Sequence, residues 1–267
     1  MIVHEKQDLT FLKWAHARSS SGTAGTFLKS ESNIDGKKTY YKLSNFDPSR
    51  GIIGHECVNE IIVDRLLTIL GVDHLSYDLI NADIEIENKM YTTYLCASHD
   101  FKQRGESKIA LDNYYAVNME GEESHYDFCK RLGWQEYIDT MIAVDYLILN
   151  RDRHGANIEV LRNARNHTLR MAPLFDHGLS LLFSCSNDED AKRFDIHGDI
   201  KCNNFIGGFS CYDNLSLISD KPRVFANKLQ KNDKKILFEG MEDILSKAFI
   251  EQIWQMIYER YQRYESL

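Results

Sequence analysis

The sequence has 267 residues, of which 43% are hydrophobic and 27% are charged. It can bury a substantial core, as one large domain or as two lobes. Three prolines and 15 glycines exclude a fibrous or linker-rich chain. The formal charge of −8 comes without a long block of like charge, so a nucleic-acid-binding role is not expected.

The cysteines and the apolar runs indicate the compartment. The six cysteines lack a CxxC pair, so we expect reduced, mostly buried thiols. No apolar run approaches the ~20 residues of a membrane span, and the first residues carry no leader pattern. We therefore expect a cytoplasmic protein without membrane insertion, and delivery out of the producing cell stays open. The cysteines are Cys57, Cys96, Cys129, Cys185, Cys202 and Cys211.

The first part of the chain has the pattern of strands around one helix. Residues 11–17 and 39–43 are predicted strands, and residues 19–25 form a small-residue turn between strands. From His55 the apolar residues recur at helical spacing, and Gly71 stands where a left-handed helix cap belongs. Further strands are predicted at 77–80, 84–86 and 91–96, so a small antiparallel sheet with one helix is expected.

The rest of the chain is predicted to be mainly helical. An apolar stripe predicts a helix that ends at Asn150, and residues 158–161 and 169–174 flank a hairpin turn. The stretch 184–220 is predicted to be loop-rich, and the tail from Pro222 is predicted to form two or three helices. The predicted fold class is therefore α+β, with a sheet-containing unit at 1–97 and a mainly helical unit at 98–267.

The most informative motif runs from Asn150 to Asn157 and is followed by a Phe-Asp-His-Gly segment. Asp152 and Asn157 stand at the spacing of a kinase catalytic Asp and a magnesium-binding Asn. Asp176 would supply a second magnesium ligand, since carboxylate and amide oxygens suit that ion. The alternative is that Asp152 is a turn residue paired with Arg151 or Arg153. The ordered set of three favours phosphoryl transfer.

Two other features would complete such a site. Lys42 lies within a predicted strand, where burying its ammonium requires an anion such as a phosphate. Glu60 and Glu56 stand one turn apart on the predicted helix, so either could hold Lys42. The loop 19–25 could cover phosphates through its backbone N–H groups, or could be a simple turn. A zinc site of two Asp with His154 and His177 has no supporting His or Cys spacing.

Together these residues resemble the HipA-like serine/threonine kinases. The resemblance rests on Tyr41-Lys42-Leu43, Asn59-Glu60, Asn150-Arg-Asp-Arg-His154 with Asn157, and Ala172-Pro-Leu-Phe-Asp176. It covers about residues 11–261. It implies a two-lobed protein-kinase-like fold, with ATP and magnesium as cofactors and protein Ser or Thr as the acceptor. The sequence lacks the additional N-terminal region of the longer toxins, so a compact member is expected and an antitoxin partner is not.

The resemblance also implies residue roles. Lys42 would hold the phosphates, Glu60 would hold Lys42, Asp152 would be the catalytic base, and Asn157 and Asp176 would bind magnesium. Family members autophosphorylate in the phosphate loop, where Ser19, Ser20, Ser21 and Thr23 are candidates. The phosphate-binding residues of that loop would be Ser21, Gly22, Thr23 and Gly25. Two other functions stay open: a kinase of a lipid headgroup or small molecule, and a nucleotide-binding pseudokinase.

Overall fold

The structure is a computed structural model that describes residues 1–15, 27–34, 36–218 and 224–267. The predicted loop 19–25 therefore lies outside the described residues. The strands of the first part are β1 (Ile2–Asp8), β2 (Lys29–Ile34), β3 (Lys37–Lys42), β4 (Phe46–Asp47), β5 (Gly51–Ile52), β6 (Tyr77–Ile86) and β7 (Lys89–His99). Helix α1 (Glu56–Leu70) follows β5. Five of the strands form one sheet in the order β1-β6-β7-β3-β2.

Helix α1 forms where the apolar period predicts it. Its apolar positions are buried, and Gly71 ends it in the left-handed region at φ 73°. The amide of Gly71 donates to the Thr68 carbonyl oxygen, so the last turn is satisfied. One face of the helix packs on the sheet, and the helix also contacts the C-terminal helices through a continuous apolar core. The helix therefore links the sheet to the helical part of the chain.

The second part contains β8 (Glu106–Ala110), α2 (Leu111–Asn118), α3 (His125–Arg131), α4 (Gln135–Ile148), β9 (Asp152–Arg153), β10 (Glu159–Asn163) and β11 (Thr168–Met171). It continues with α5 (Asp188–Arg193), β12 (Asn203–Asn204), α6 (Cys211–Asn214), α7 (Lys234–Leu237) and α8 (Lys247–Glu265). Short 3-10 turns lie at Gly155–Asn157, Leu215–Leu217 and Lys231–Asp233. The predicted hairpin is present as β10 and β11.

Three local predictions were wrong or incomplete. Of the predicted strand 11–17, residues 11–14 form no strand, because Leu12 turns back on Leu9 and inserts into the second core under the sheet; Ala15 forms an isolated bridge with Lys29, and residues 16–17 lie outside the described residues. Strand β1 was not predicted, and it pairs in parallel with β6. Strand β8 was also not predicted, and it adds a third strand to the hairpin. The mixed α+β class is confirmed, and the division at residue 97 stays a prediction.

Two further predictions concerned the state of the cysteines and membrane-spanning segments. All six cysteines are free and buried, as their spacing predicted. Among the residues that the structure describes, none of the helices combines the length and apolar character needed to cross a bilayer.

Candidate active site

The end of β3 places a charged side chain inside the molecule. Lys42 is 9% exposed, and its ammonium donates to the Glu60 carboxylate at 2.9 Å and to the Asp176 carboxylate. Burial alone would lower the pKa of Lys42, but Asp176 and Glu60 outweigh it, so the pKa is raised well above its usual value. The lysine is therefore a fixed cation between two acids.

The second helix carboxylate does not compete for this lysine. Glu56 accepts a hydrogen bond from the backbone amide of Asn45 at 3.3 Å, and burial raises its pKa. Glu60 reaches Lys42 with one oxygen and accepts the His177 amide with the other at 2.8 Å. Of the two acids that the sequence left open, Glu60 is the one in contact with Lys42.

Helix α1 also holds the loop that follows Asp176. Asn59 is fully buried, and its amide donates to the carbonyl oxygens of Gly178 and Ser180, both at 3.0 Å. Gly178 lies so close that an added Cβ would come within 3.2 Å of the Glu56 Cβ and 3.3 Å of the Glu60 Oε1. The loop and the helix therefore form one packed unit.

The backbone of Asp176 has an unusual conformation. Its φ is 61°, in the left-handed region that non-glycine residues rarely occupy. Its amide donates to the Tyr77 hydroxyl at 3.3 Å. Burial, together with Glu60 and Asp176, raises the pKa of Tyr77 well above its usual value, so Tyr77 is a neutral hydroxyl. A strained backbone held by surrounding contacts is common at functional sites.

The loop after α4 carries Asp152 and Asn157. Leu149 ends the helix in the left-handed region, and Asp152 lies in the short strand β9, which pairs in parallel with β12. The Asn157 amide nitrogen donates to the Asp152 carbonyl oxygen at 3.0 Å, which directs its Oδ1 away from that carbonyl. Asn157 lies in a 3-10 turn before β10, not at the start of the strand.

The two arginines next to Asp152 bind other groups. Arg153 is 1% exposed and bonds the buried Asp145, and Arg151 contacts Ser184. The Asp152 carboxylate instead lies 3.7 Å from the Nε2 atom of His154. The alternative in which Asp152 is a turn residue paired with Arg151 or Arg153 is therefore wrong, since neither arginine contacts its carboxylate. The Asp152 carboxylate is 34% exposed and can meet an incoming group.

Arg153 joins the Asp152 loop to the Asp176 loop. Its guanidinium donates to the Phe175 carbonyl oxygen at 2.8 Å and to the Asn157 carbonyl oxygen at 3.4 Å. Burial lowers the pKa of Arg153, but Asp145 more than reverses this and leaves the pKa raised. Sequence reasoning missed Asp145 and Arg153 as a pair. An Asp inside the apolar run of α4 was the available signal, since a buried charge needs a partner.

A cavity of about 710 Å³ opens beside Lys42 and Asp176. The aromatic rings of Tyr40, Phe101 and Phe175 line it together with these two charged side chains. This size falls within the range of small-molecule and cofactor sites. The structure thus brings Lys42, Glu60 and Asp176 into direct contact and Asp152 and Asn157 into contact with each other. Ser21, Gly22, Thr23 and Gly25 lie outside the described residues.

The zinc alternative from the sequence involved His154 and His177 with the two aspartates. His177 is 2% exposed, and burial, together with the charge of Arg153, lowers its pKa well below its usual value. His177 is therefore a neutral packing residue. In the described parts of the chain, no group of three or more His, Cys, Asp or Glu side chains is placed to hold a metal ion.

Comparison with known proteins supports the fold. No protein-family model matches the chain, and no curated protein does either. The crystal structure of the Helicobacter pylori proinflammatory kinase CtkA is similar, with a TM-score of 0.62 and 16% identity over 98% of this chain and 97% of that chain. A Shewanella oneidensis complex of HipA, HipB and operator DNA gives a TM-score of 0.44 and 14% identity over 92% of this chain and 65% of that chain. That second likeness is too weak to support a shared fold by itself.

The likeness to CtkA confirms the two-lobed protein-kinase-like fold that the sequence resemblance implied. The fold places a small sheet with α1 over a mainly helical part, and the site described above lies where the elements of both parts meet. At 16% identity the likeness concerns the fold. Any catalytic activity depends on the side chains that this chain places at the site, because one fold can carry different functions.

Proposed function

We propose that the chain is an ATP- and magnesium-dependent serine/threonine protein kinase that resembles the HipA-like family. The observation that carries the proposal is the contact of buried Lys42 with both Glu60 and Asp176 at the wall of a nucleotide-sized cavity. A lysine that is held by a helix carboxylate, next to a metal-binding aspartate, is the arrangement that positions a triphosphate in kinases. The Asp152 loop is connected to the Asp176 loop by the hydrogen bond from Arg153 to the Phe175 carbonyl oxygen.

The residues present fit a magnesium ion. Asn157 offers a neutral amide oxygen and Asp176 a carboxylate, and Mg²⁺ in phosphoryl-transfer sites uses one or two such groups together with phosphate oxygens. When bound, the ion would neutralise the charge of the transferred phosphate. Because the metal ion would neutralise part of the Asp176 carboxylate charge, the Lys42 ammonium would then pair with Glu60 and the phosphates.

Each remaining side chain has a role in positioning. Asp152 would orient the acceptor hydroxyl and take its proton, as its exposed carboxylate allows. Glu60 would keep Lys42 aimed at the phosphates, and Asn59 would keep the Asp176 loop against α1. The backbone N–H groups of the loop with Ser21, Gly22, Thr23 and Gly25 would cover the phosphates. Little covalent work is required of the protein, since positioning and charge neutralisation dominate.

The proposed acceptor is a Ser or Thr hydroxyl of a protein, including this chain itself. The sequence resemblance supports this acceptor, and the structurally similar CtkA is a kinase. Ser19, Ser20, Ser21 and Thr23 are the proposed autophosphorylation positions. A pseudokinase is disfavoured, because Lys42, Glu60, Asp152, Asn157 and Asp176 are all present.

The test is phosphate transfer from γ-labelled ATP to the purified protein and to a mixture of protein substrates, with ATP binding followed by thermal shift. We expect transfer by the wild type, and none above background by Asp152→Asn or Asp176→Asn. Asp152→Asn should still be stabilised by Mg·ATP, since its change leaves the nucleotide contacts in place. Full transfer by both variants would refute the proposal, and stabilisation of the wild type without any transfer would favour a pseudokinase.

A further inference from the structure

Two thiols meet at the backbone of Lys42. Cys57 stands in the first turn of α1, and Cys96 lies on β7 opposite Lys42 of β3. The Cys57 Sγ atom donates to the Lys42 carbonyl oxygen at 3.1 Å, and the Cys96 Sγ atom donates to the same oxygen at 3.8 Å. The two thiols are also hydrogen-bond partners of each other. A sulfur atom from the helix and one from the sheet are therefore in contact next to the candidate nucleotide-binding lysine.

One of the two thiols can be reached from the candidate nucleotide cavity. Cys96 lines that cavity beside Lys42, whereas Cys57 is not one of the lining residues. Both cysteines are only 1% exposed, so a small solute in the cavity meets Cys96 first. A second pair of thiols in contact, Cys202 and Cys211, does not line the cavity. The Cys57–Cys96 pair therefore combines contact between two sulfur atoms with access for a small reagent.

The two thiols differ in how tightly they hold their protons. Burial alone would raise the pKa of Cys57, but hydrogen bonds with Cys96 and Ser44 outweigh it. The charge of Lys42 acts in the same direction, so the pKa of Cys57 is lowered. The hydrogen bond with Cys57, together with burial, raises the pKa of Cys96 well above its usual value. A thiol with a lowered pKa beside a second thiol that keeps its proton is typical of redox-active dithiols.

We propose that Cys57 and Cys96 form a reversible disulfide that acts as an oxidation switch on the candidate nucleotide site. The oxidant is a small hydroperoxide that enters through the cavity. The Cys96 sulfur attacks one peroxide oxygen while its proton passes to the Cys57 thiolate, the O–O bond breaks, and the departing hydroxide takes a proton from solvent and leaves as water. The Cys57 sulfur then attacks the sulfenic sulfur of Cys96, the S–O bond breaks, and a second water leaves with the Cys57 proton. The two sulfur atoms lose two electrons, which reduce the peroxide, and a dithiol reductant reverses the reaction by exchange.

The disulfide would disturb the lysine that both thiols contact. Both S–H donors to the Lys42 carbonyl oxygen are lost, and α1 becomes tied to β7 at Cys57, one turn before Glu60. This consequence rests on the proposed function, in which Lys42 and Glu60 position the phosphates. We expect the oxidised protein to bind Mg·ATP about fivefold or more weakly than the reduced protein, measured by isothermal titration calorimetry. Equal affinity in a sample that carries the complete disulfide would overturn the switch.

The first arm of the test detects the disulfide itself and does not depend on the activity of the chain. The purified wild type is treated with hydrogen peroxide, the remaining thiols are alkylated, and the unreduced peptides are mapped by mass spectrometry. We expect a pair of peptides linked through Cys57 and Cys96, and we expect dithiothreitol to separate them. Absence of this linked pair, whichever other residues are oxidised, would overturn the proposal.

Cys129 is the matched control for the two thiols. It is 1% exposed like them, and burial and Glu123 raise its pKa to about 12 without a contribution from another thiol. Cys57→Ala and Cys96→Ala should each lack the linked pair and should bind Mg·ATP equally well before and after peroxide treatment. Cys129→Ala should form the linked pair and lose affinity as the wild type does. An equal loss of affinity in Cys96→Ala and in the wild type would assign the effect to another residue and overturn the switch.

The second arm tests entry through the cavity. A non-hydrolysable ATP analogue with Mg²⁺ is added before the peroxide, at about ten times the dissociation constant that thermal shift gives for it. We expect the rate at which the linked pair forms to fall about tenfold, in proportion to the free protein, because the analogue covers Cys96. An unchanged rate with the analogue bound contradicts entry through the cavity. Absence of any thermal shift contradicts the proposed function, and the map of linked peptides then decides by itself whether the disulfide forms.

Discussion

The guanidinium of Arg153 donates to the carbonyl oxygen of Phe175 at 2.8 Å, so the residue after Asp152 holds the residue before Asp176. Arg153 in turn is held by three contacts to the Asp145 carboxylate, at 2.9 to 3.3 Å. Both side chains are almost fully buried. One ion pair inside the helical part thus sets the relative position of the two loops that carry the candidate chemistry.

Replacement of this arginine should therefore damage stability and activity together. Arg153→Gln leaves the Asp145 carboxylate buried without its partner, which we expect to cost about 3 to 5 kcal/mol of unfolding free energy. Chemical denaturation measures this cost. The double variant with Asp145→Asn should recover part of the stability, because no uncompensated charge remains. Equal stability of Arg153→Gln and the wild type would contradict the assigned role.

Glu60 and Glu56 provide a matched pair for the lysine contact. Glu60→Gln removes the charge that holds Lys42, and we expect kcat/KM for ATP to fall by about 10- to 100-fold, since hydrogen bonds to charged groups contribute about 1.5 to 3 kcal/mol. Glu56→Gln should change kcat/KM by less than about threefold, because Glu56 contacts the Asn45 amide instead. Steady-state kinetics of both variants measures this difference in kcat/KM for ATP. A larger loss in Glu56→Gln would show that the assignment is reversed.

The close packing of Gly178 on α1 predicts sensitivity to a single methyl group. In Gly178→Ala the new Cβ would press on the Glu56 backbone oxygen and on Glu60, both at 3.3 Å, and we expect a loss of about 1 to 3 kcal/mol of stability together with reduced activity. Gly208→Ala is the control, because its Cβ would meet a single atom at an ordinary 3.9 Å. Thermal unfolding should separate the two variants clearly. If both behave alike, the loop is not packed against the helix as described.

His74 predicts a pH dependence of stability. Burial lowers the pKa of His74, but the Asp64 carboxylate and the Val72 carbonyl outweigh it, so the folded pKa lies above the usual 6.5. The stabilisation is therefore complete below pH 6.5 and is lost as pH rises through the folded pKa. We expect the wild type to lose stability relative to His74→Gln over that window, measured by denaturation at a series of pH values. An unchanged difference between the two proteins across the window would contradict the ion pair.

Patterns in the sequence predicted most of the local features. Helix α1 and its glycine cap, strand β3 and the β10–β11 hairpin were all predicted, because their apolar periods and turn residues act over a few positions. Strand β1 escaped prediction, since all of its residues are only partly buried or exposed and it pairs with β6, which lies far along the chain. Such an edge strand is stabilised by its partner more than by its own propensity.

The candidate site likewise combines residues that local patterns identify with contacts between segments that are distant in the chain. The spacing of Asp152, Asn157 and Asp176 can be read locally, and so can the helix that carries Glu60. The choice of Glu60 over Glu56 could not be made from the sequence, because both lie on the same side of α1. The Arg153–Asp145 pair and the contact of Asn59 with the Asp176 loop depend on how distant segments pack, which no short pattern records.

Phosphosite mapping by mass spectrometry, on the purified wild-type chain and on Asp152→Asn after incubation with Mg·ATP, is the decisive experiment for kinase activity. We expect phosphate on serine or threonine residues of the wild type and none on the variant, with both proteins equally folded by circular dichroism. Equal phosphate on both proteins, or none on the wild type or on any protein substrate offered to it, would contradict the proposed kinase activity.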